Sequence, residues 1–260
     1  MKKLESSFDE CDMNPKNDTL DQESSKNLKR DALISAQKAK AVKEANHGNF
    51  SLINKIREEE PQTPTAEGVK YEDIYVNYGD EKILTRHYYP KNCQNQTSLP
   101  ILIYVHGGGW CFSSIQHRNS LASQFSIKHN LEVVSINHSL SPEFKYGRAI
   151  DEIYAVYCDI LKKSPDDRKI FLSGDSSGGN IAPCVIHKIK NENNKVKMPT
   201  ALLLFYPVCD LVTDYPSNHQ FGTGFMLDYD LFTNYMNAYC PNEDERKNHL
   251  VALRRDFLRI

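Results

Sequence analysis

One serine in this chain stands in a pattern that would make it a nucleophile. The apolar run Ile170–Ser173 predicts a buried strand, Gly174–Gly178 reads Gly-Asp-Ser-Ser-Gly, and apolar residues then recur at helical spacing from Ile181 to Ile189. A strand, Gly-x-Ser-x-Gly and a helix in this order are typical of a nucleophile elbow, a strained turn that lifts the serine hydroxyl to the positive end of the helix. Ser176 is therefore the candidate nucleophile, and the alternative is an ordinary Ser/Gly loop.

A second motif, His-Gly-Gly-Gly-Trp at His106–Trp110, follows the strand-like run Ile101–Val105. Three successive glycines leave backbone N–H groups open, because no Cβ shields them. Together with the N–H of Ser177, such groups can bind the oxyanion that forms during acyl transfer. A glycine loop can also cradle phosphate, but no lysine follows in a Walker arrangement and no Gly-x-Gly-x-x-Gly pattern is present. The pair of motifs indicates acyl transfer rather than nucleotide binding.

Together these motifs resemble the hormone-sensitive-lipase branch of the α/β-hydrolases. The resemblance rests on His106–Trp110, on Gly174–Asn180, and on Asn137–Glu143 with the helix-like Arg148–Glu152 after it. Phe205–Leu211 extends the likeness, which covers roughly residues 70–250. It implies a mostly parallel α/β-hydrolase sheet with helices on both faces and a helical cap, with strands seven and eight of the family's sheet missing from this chain.

The resemblance also implies a mechanism. Ser176 would be the nucleophile of a carboxylic-ester hydrolase, and the N–H groups of Gly108, Gly109 and Ser177 would hold the oxyanion. The partner would be a small-molecule ester with a short or medium acyl group, which water releases from an acyl-enzyme, and no cofactor or metal is required. His106 belongs to the glycine loop, where the family uses it structurally.

The acid and the base that would activate Ser176 are harder to find. In the resembled family they follow the seventh and eighth strands, and this sequence ends at Ile260 before either. The histidines after the serine and the nearest carboxylates of the right chemical type are His187, His219, His249, Asp210 and Asp214.

We expect none of the three histidines to act as the base. His187 lies about three helical turns beyond the elbow, where the rise of ~1.5 Å per residue carries it away from the serine. His219 lies in the cap segment and His249 in the tail. The sequence thus predicts a shortened hydrolase with weak activity, and it leaves Ala201–Phe205 as an uncharged apolar edge strand.

Two other functions fit part of the pattern. A non-catalytic relative would bind a small apolar ligand beneath the cap, and a serine-reactive phosphonate would not label such a protein. Gly-Asp-Ser-Ser-Gly-Gly is also similar to the Gly-Asp-Ser-Gly-Gly of chymotrypsin-like proteases. Those proteases are all-β and place His and Asp before the serine, so we set this interpretation aside.

Composition argues against several other classes of protein. The 32 Lys and Arg nearly balance the 34 Asp and Glu, so net charge predicts neither nucleic acid nor an anionic membrane as a partner. Seven cysteines without a C-x-x-C pair argue against a disulfide framework or a zinc site and favour a reducing compartment. With no apolar signal segment and no run long enough to span a bilayer, we expect a cytoplasmic protein.

The chain divides into three predicted parts. Residues 1–30 are polar and charged and are predicted to be a disordered tail. Residues 31–68 are predicted to form helices at Asp31–Ala45 and Phe50–Ile56, which are either part of the cap or plain solvated helices. Residues 69–260 are the incomplete hydrolase core.

Within the core, strand-like and helix-like stretches alternate, which predicts a mostly parallel sheet covered on both faces. A cap insertion at about 216–241 contains the predicted helix Tyr229–Cys240, whose apolar face packs on the sheet, lines the ligand pocket as the resemblance implies, or does both. The predicted strands are Val69–Val76, Ile83–Tyr89, 101–105, 131–136, 169–173 and 201–205, and the predicted helices are 118–129, 149–163 and 178–191, the last kinked at Pro183.

Overall fold

The structure, a computed structural model, describes residues 22–191 and 196–247. Its strands are β1 Val69–Tyr78, β2 Glu81–Pro90, β3 Ile101–Val105, β4 Glu132–Ile136, β5 Ile170–Asp175 and β6 Ala201–Phe205. They form one sheet in the spatial order β1-β2-β4-β3-β5-β6. Strands β3 to β6 run parallel, whereas β2 is antiparallel to both of its neighbours. The mostly parallel sheet predicted from the sequence is confirmed.

The helices of the described ranges are α1 Gln22–Asn46, α2 Ser51–Glu59, α3 Asn119–His129, α4 Arg148–Lys163, α5 Ser177–Asn191, α6 Pro216–Gln220, α7 Tyr229–Tyr239 and α8 Glu243–Arg246. Short 3₁₀ turns lie at Gln96–Ser98 and Gln116–Arg118. The sequence does not predict α6 and α8, because one or two turns are too short to show a helical period. In these ranges no helix has both the length and the apolar character that a bilayer crossing needs.

The central strand β3 shows why the sheet carries helices on both faces. Ile101, Ile103 and Val105 belong to a buried cluster that includes the apolar residues of α4 and α5. Leu102 and Tyr104 point to the opposite face, where they pack with Ala122 of α3. Because successive side chains of a strand alternate between faces, a strand buried on both sides must be apolar throughout.

Strand β6 is the edge strand of the sheet within the described residues. All five residues of β3 and of β4 are buried, whereas Ala201 and Leu203 of β6 are exposed and its other residues are half-buried. Leu203 is 40% exposed. An apolar edge strand offers unpaired backbone groups and apolar side chains to any other strand, as the sequence predicts.

The first helix begins earlier than the sequence predicts. α1 starts at Gln22, so residues 22–30, which were assigned to the disordered tail, are helical. Residues 1–21 lie outside the described part of the chain. The correction has a physical reason, because Gln, Glu, Lys, Leu and Arg are good helix formers. They extend a helix whose later turns are fixed by the buried Ala41, Val42 and Ala45.

Pro183 does not end the helix that contains it. α5 is helical from Ser177 to Asn191, with Pro183 inside and buried. Proline removes one helical hydrogen bond and crowds the preceding turn, which costs about 3 kcal/mol. The neighbours of Pro183 from Ile181 to Ile186 are all buried as well. Burial of this helix segment therefore offsets the unfavourable proline.

We expect Leu203→Lys to reduce self-association of the protein at high concentration. The substitution places a charge on the exposed edge of β6 and should leave the buried face of the sheet unchanged. Sedimentation velocity over a concentration series measures the effect. The control is Tyr75→Lys on β1, whose side chain is 61% exposed on an edge strand that already carries charges. Equal association in the two variants would contradict the prediction.

Candidate active site

The turn after β5 holds Ser176 in a left-handed backbone conformation, with φ of +52°. A serine reaches this region only with strain, so the turn needs contacts that hold it. The Ser176 N–H donates to the Phe205 carbonyl at 3.0 Å. The Ser176 carbonyl accepts from the N–H groups of Asn180 and Val208 at 3.1 and 3.2 Å. This is the strained elbow that the sequence predicts, held by α5 and by the residues that follow β6.

The turn at Ser176 can pack against the end of β3 because Gly178 has no side chain. A Cβ built on Gly178 would lie 2.2 Å from the Val105 carbonyl oxygen, far too close for any real Cβ. α5 therefore begins directly against the end of β3. Val105 of β3 lies opposite Gly174 of β5 in the parallel sheet, so the loop after β3 and the turn after β5 meet at the same edge.

The glycine loop lies against the serine. A Cβ built on Gly107 would lie 3.0 Å from the Ser176 Cβ. Gly108 and Gly109 have φ of +129° and +62°. Within the described residues, the N–H groups of Gly108, Gly109 and Ser177 have no hydrogen-bond acceptor. These are the three N–H groups that the resemblance implies as oxyanion donors, and none is occupied by a competing acceptor there.

Asp175, to which the sequence assigned no role, is buried beside the serine and anchors the loop. One carboxylate oxygen accepts from the Tyr104 hydroxyl at 2.6 Å and from the Gly107 N–H at 2.9 Å. The other oxygen lies 3.4 Å from the Tyr206 hydroxyl and from the Arg118 guanidinium. Burial and the charge of Asp175 raise the pKa of Tyr104, so its hydroxyl stays protonated and donates. A charged residue at the end of an apolar strand was the signal for this role.

No described side chain forms a hydrogen bond with the Ser176 hydroxyl. His219 instead bonds Asp214 at 2.8 Å, and both side chains are exposed. His187 lies on α5 three turns beyond Ser176, which is about 16 Å along the helix axis at ~1.5 Å per residue. His249 lies outside the described residues. The structure thus brings neither described histidine to the serine.

Asp210 stabilises a turn of its own. It accepts from the N–H groups of Val212 and Thr213 at 2.8 and 3.1 Å and from the Tyr215 hydroxyl at 3.1 Å. Burial raises the pKa of Asp210, but these bonds outweigh the burial, and the pKa lies below its usual value. This carboxylate contacts no histidine within the described residues, so it orients no base there.

His106 and His138 form a buried stacked pair beside the glycine loop, with ring centroids 4.2 Å apart. The Nδ1–H of His106 donates to the Gly107 carbonyl at 2.9 Å, and that of His138 donates to the Ser139 carbonyl at 3.0 Å. Burial lowers the pKa of both rings, and the facing His138 lowers the pKa of His106 further. Both rings are therefore neutral at pH 7.

Helix α7 covers the glycine loop. A Cβ built on Gly109 would lie 2.3 to 2.5 Å from ring carbons of Tyr235. The Tyr239 ring stacks on Trp110, with centroids 4.6 Å apart and an interplanar angle of 8°. Among the helices and strands, α7 contacts mainly α1. These α7 residues belong to the same buried cluster as the apolar residues of β3, and the pocket-lining role of this face stays a prediction.

The cavities described in the structure lie away from the serine. One of about 360 Å³ is lined by residues of α1 and α7 together with Lys145 and Pro241. Another of about 500 Å³ is lined by residues of the segments 95–100 and 165–169, before β3 and β5. Neither contains an elbow or glycine-loop residue, so neither identifies an acyl pocket.

Known proteins share this sequence pattern and fold. A family model described as alpha/beta hydrolase fold matches residues 102–259. Lipase 2 of Moraxella sp. strain TA144 is 25% identical over 71% of this chain and 50% of that protein. The acetyl esterase of Salmonella schwarzengrund is 30% identical over 68% of this chain and 54% of that protein. The structure of EstE1, a thermostable carboxylesterase cloned from a metagenomic library, matches with a TM-score of 0.67 at 25% identity, covering 78% of this chain and 70% of that one.

The chain belongs to the α/β-hydrolase family. Within that family its relatives are hormone-sensitive-lipase-like proteins, among them esterases and arylacetamide deacetylases, so the predicted resemblance and the predicted α/β-hydrolase fold are confirmed. The chain spans about half the length of the curated relatives it matches.

The left-handed turn predicts an unusual order of stabilities. Ser176→Gly should be more stable than Ser176→Ala by about 1 kcal/mol, because glycine enters the left-handed region without a Cβ penalty. Urea unfolding measures both variants. At Ser173, in the extended strand β5, the same two substitutions should rank in the opposite order. If glycine and alanine ranked alike at the two positions, the strained turn would be refuted.

The stacked histidines predict a loss of stability in acid. Their folded-state pKa values are lowered from 6.5, so below pH 6.5 the unfolded chain binds protons that the folded chain does not. The free energy of unfolding should fall as pH falls from 6.5, by at most about 1.4 kcal/mol per pH unit for each histidine. Urea unfolding of the protein and of His138→Phe between pH 7 and 5 tests this. The variant should lose less stability over that range, and parallel curves would count against the prediction.

Proposed function

We propose that this chain carries the nucleophile and oxyanion half of a carboxylic-ester hydrolase. The observation that supports the proposal is a strained serine beside a glycine loop, where the N–H groups of Gly108, Gly109 and Ser177 have no acceptor in the described residues. A small ester would place its carbonyl carbon at the Ser176 hydroxyl and its carbonyl oxygen at Gly108, Gly109 and Ser177. The names of the relatives, which include a carboxylic ester hydrolase and an acetyl esterase, support this substrate class.

The reaction proceeds by acyl transfer in two steps. The Ser176 oxygen bonds to the carbonyl carbon, the serine proton passes to water, from which the departing alcohol later takes one, and the carbonyl oxygen becomes an oxyanion. The oxyanion collapses, the C–O bond to the alcohol breaks, and the alcohol departs with a proton. Water then attacks the acyl-serine in the same way, which releases the carboxylic acid and restores the serine. In both steps the negative charge develops where the three N–H groups and the N-terminus of α5 favour it.

Removal of the serine proton limits this reaction. A serine hydroxyl is a weak nucleophile unless an adjacent base takes its proton. No described histidine bonds Ser176, and His219 is already paired with Asp214. We therefore expect slow acylation by the chain of 260 residues, with the oxyanion donors as its main catalytic contribution.

The unpartnered Ser176 hydroxyl favours a second candidate function, in which the site only binds a small apolar ligand. Under this alternative the elbow and the glycine loop are retained for their packing, and the serine forms no covalent bond. The two functions differ in one observable, which is covalent capture of Ser176 by a reagent that mimics an ester.

We expect a p-nitrophenyl phosphonate to label the protein slowly and at Ser176 alone, because the N–H groups that would hold an ester oxyanion would also hold the phosphonate oxygen. Mass spectrometry of tryptic peptides locates the adduct. Ser176→Ala should abolish labelling, whereas Ser177→Ala should retain it because the backbone N–H of residue 177 remains. No adduct at Ser176 after prolonged exposure would favour the binding function.

Hydrolysis of a short p-nitrophenyl ester should be weak, and Ser176→Ala should change the residual rate little. A serine without a base contributes little to the rate, so its removal costs little. A site that lacks triad members still gives roughly 10³–10⁴-fold catalysis over water. Rapid turnover that Ser176→Ala abolishes would require a base within this chain. His219→Ala and His249→Ala would then identify that base.

A further inference from the structure

The segment that follows the glycines is strained at two residues that are not glycine. Trp110 has φ of +59° and Ser113 has φ of +79°. Such conformations persist only where the surrounding structure over-determines them. The start of the loop is fixed from the core side by Asp175, which accepts from the Gly107 N–H at 2.9 Å. Its far end is fixed from another part of the chain, helix α2.

Arg57, in the last turn of α2, forms hydrogen bonds with the glycine loop and with the segment 141–143 beside it. Its Nε donates to the Cys111 carbonyl at 2.8 Å. One terminal nitrogen donates to the Ser141 carbonyl at 2.7 Å, and the other pairs with Glu143 at 2.6 Å. A planar guanidinium can serve these three acceptors at once, which the point charge of a lysine cannot do.

Glu60, at the end of the same helix, holds the next part of the loop. One carboxylate oxygen accepts from the Ser113 N–H at 3.0 Å and lies 3.2 Å from Nδ1 of His117. The other oxygen accepts from Lys38 of α1 at 2.6 Å. Both Arg57 and Glu60 are mostly shielded from solvent, with side chains 19% and 16% exposed. Their bonds are therefore screened less than those of surface ion pairs.

We propose that Arg57 and Glu60 are positioning residues that hold the N–H groups of Gly108 and Gly109 in place for the oxyanion. This inference rests on the proposed ester-hydrolase function. Asp175 fixes the loop before the two donors, and Arg57 and Glu60 fix it after them, at Cys111 and Ser113. The Gly108 carbonyl accepts from the N–H groups of Cys111 and Phe112 at 3.2 and 2.9 Å, so the position of Cys111 acts directly on the glycines that carry the donors. The N-terminal helices thus act on the site through the backbone of the loop and touch no reacting atom.

The chain contains its own reporter of this loop. Trp110 is the only tryptophan in the sequence, it follows Gly109 directly, and its side chain is 2% exposed. Fluorescence of Trp110 therefore reports on the loop alone. Arg57→Met and Glu60→Gln should each raise the acrylamide quenching constant of Trp110, because a loosened loop exposes the indole.

The functional readout is the kinetics of phosphonate labelling at Ser176. Displaced N–H donors stabilise the transition state of labelling less, whereas they affect the initial binding of the phosphonate little. Both variants should therefore lower the maximal labelling rate by about tenfold or more. The phosphonate concentration that gives half-maximal rate should stay unchanged. A substitution that only destabilised the fold would lower the urea midpoint. It would not lower the maximal labelling rate while leaving the half-maximal phosphonate concentration unchanged.

The matched controls are Lys55→Met and Glu59→Gln, which make the same kinds of change on exposed positions of α2. If Arg57→Met does not fold, Arg57→Lys keeps the charge but loses the planar guanidinium, and it should give a smaller change of the same sign.

Quenching and labelling equal to those of the controls would overturn the inference, as would raised quenching with an unchanged labelling rate. Absence of labelling in the parent protein would refute the proposed function instead, and the quenching of Trp110 would still decide whether the two residues hold the loop.

Discussion

The close approach of α5 to the end of β3 is the constraint on which the rest of this site depends. The helix begins so near the strand that Gly178 lies against the Val105 carbonyl, and this forces the chain to turn sharply at Ser176. The same approach brings the loop after β3 to the serine. The two motifs are 68 residues apart in sequence at Gly107 and Asp175, yet they share a hydrogen bond, because β3 and β5 are neighbouring parallel strands. Carboxyl ends of adjacent parallel strands are where such sheets form their sites.

The ionisable side chains buried beside Ser176 are held by contacts of their own or are kept neutral. The buried carboxylate of Asp175, beside the turn, accepts from the Tyr104 hydroxyl and the Gly107 N–H and lies 3.4 Å from the Arg118 guanidinium. The nearby rings of His106 and His138 are kept neutral by burial. Helix α5 begins at Ser177, directly after the serine, and the partial positive charge of its N-terminus is fixed in place.

Local patterns in the sequence predicted the parts of this structure that local physics determines. The elbow and the glycine loop follow from glycine at fixed spacing, and the buried strands follow from continuous apolar runs. The contacts that hold the loop were not predictable in this way. Arg57 donates to the Cys111 carbonyl, which lies 54 residues away in sequence, and no local sequence pattern predicts this contact. The start of α1 and the packing of α7 on the glycine loop also depend on distant partners, so propensity and period could not decide them.

The elbow is built independently of any base. Its strain is balanced by backbone bonds from Ser176 to Phe205, Asn180 and Val208, and its space is provided by glycine. None of these contacts involves a histidine, so the turn does not depend on a histidine for its stability. Stabilising an oxyanion and removing a proton are separable contributions to acyl transfer, since a site that lacks triad members still retains part of its catalysis. In the described part of this chain, the N–H groups of Gly108, Gly109 and Ser177 have no acceptor, and no side chain forms a hydrogen bond with the Ser176 hydroxyl.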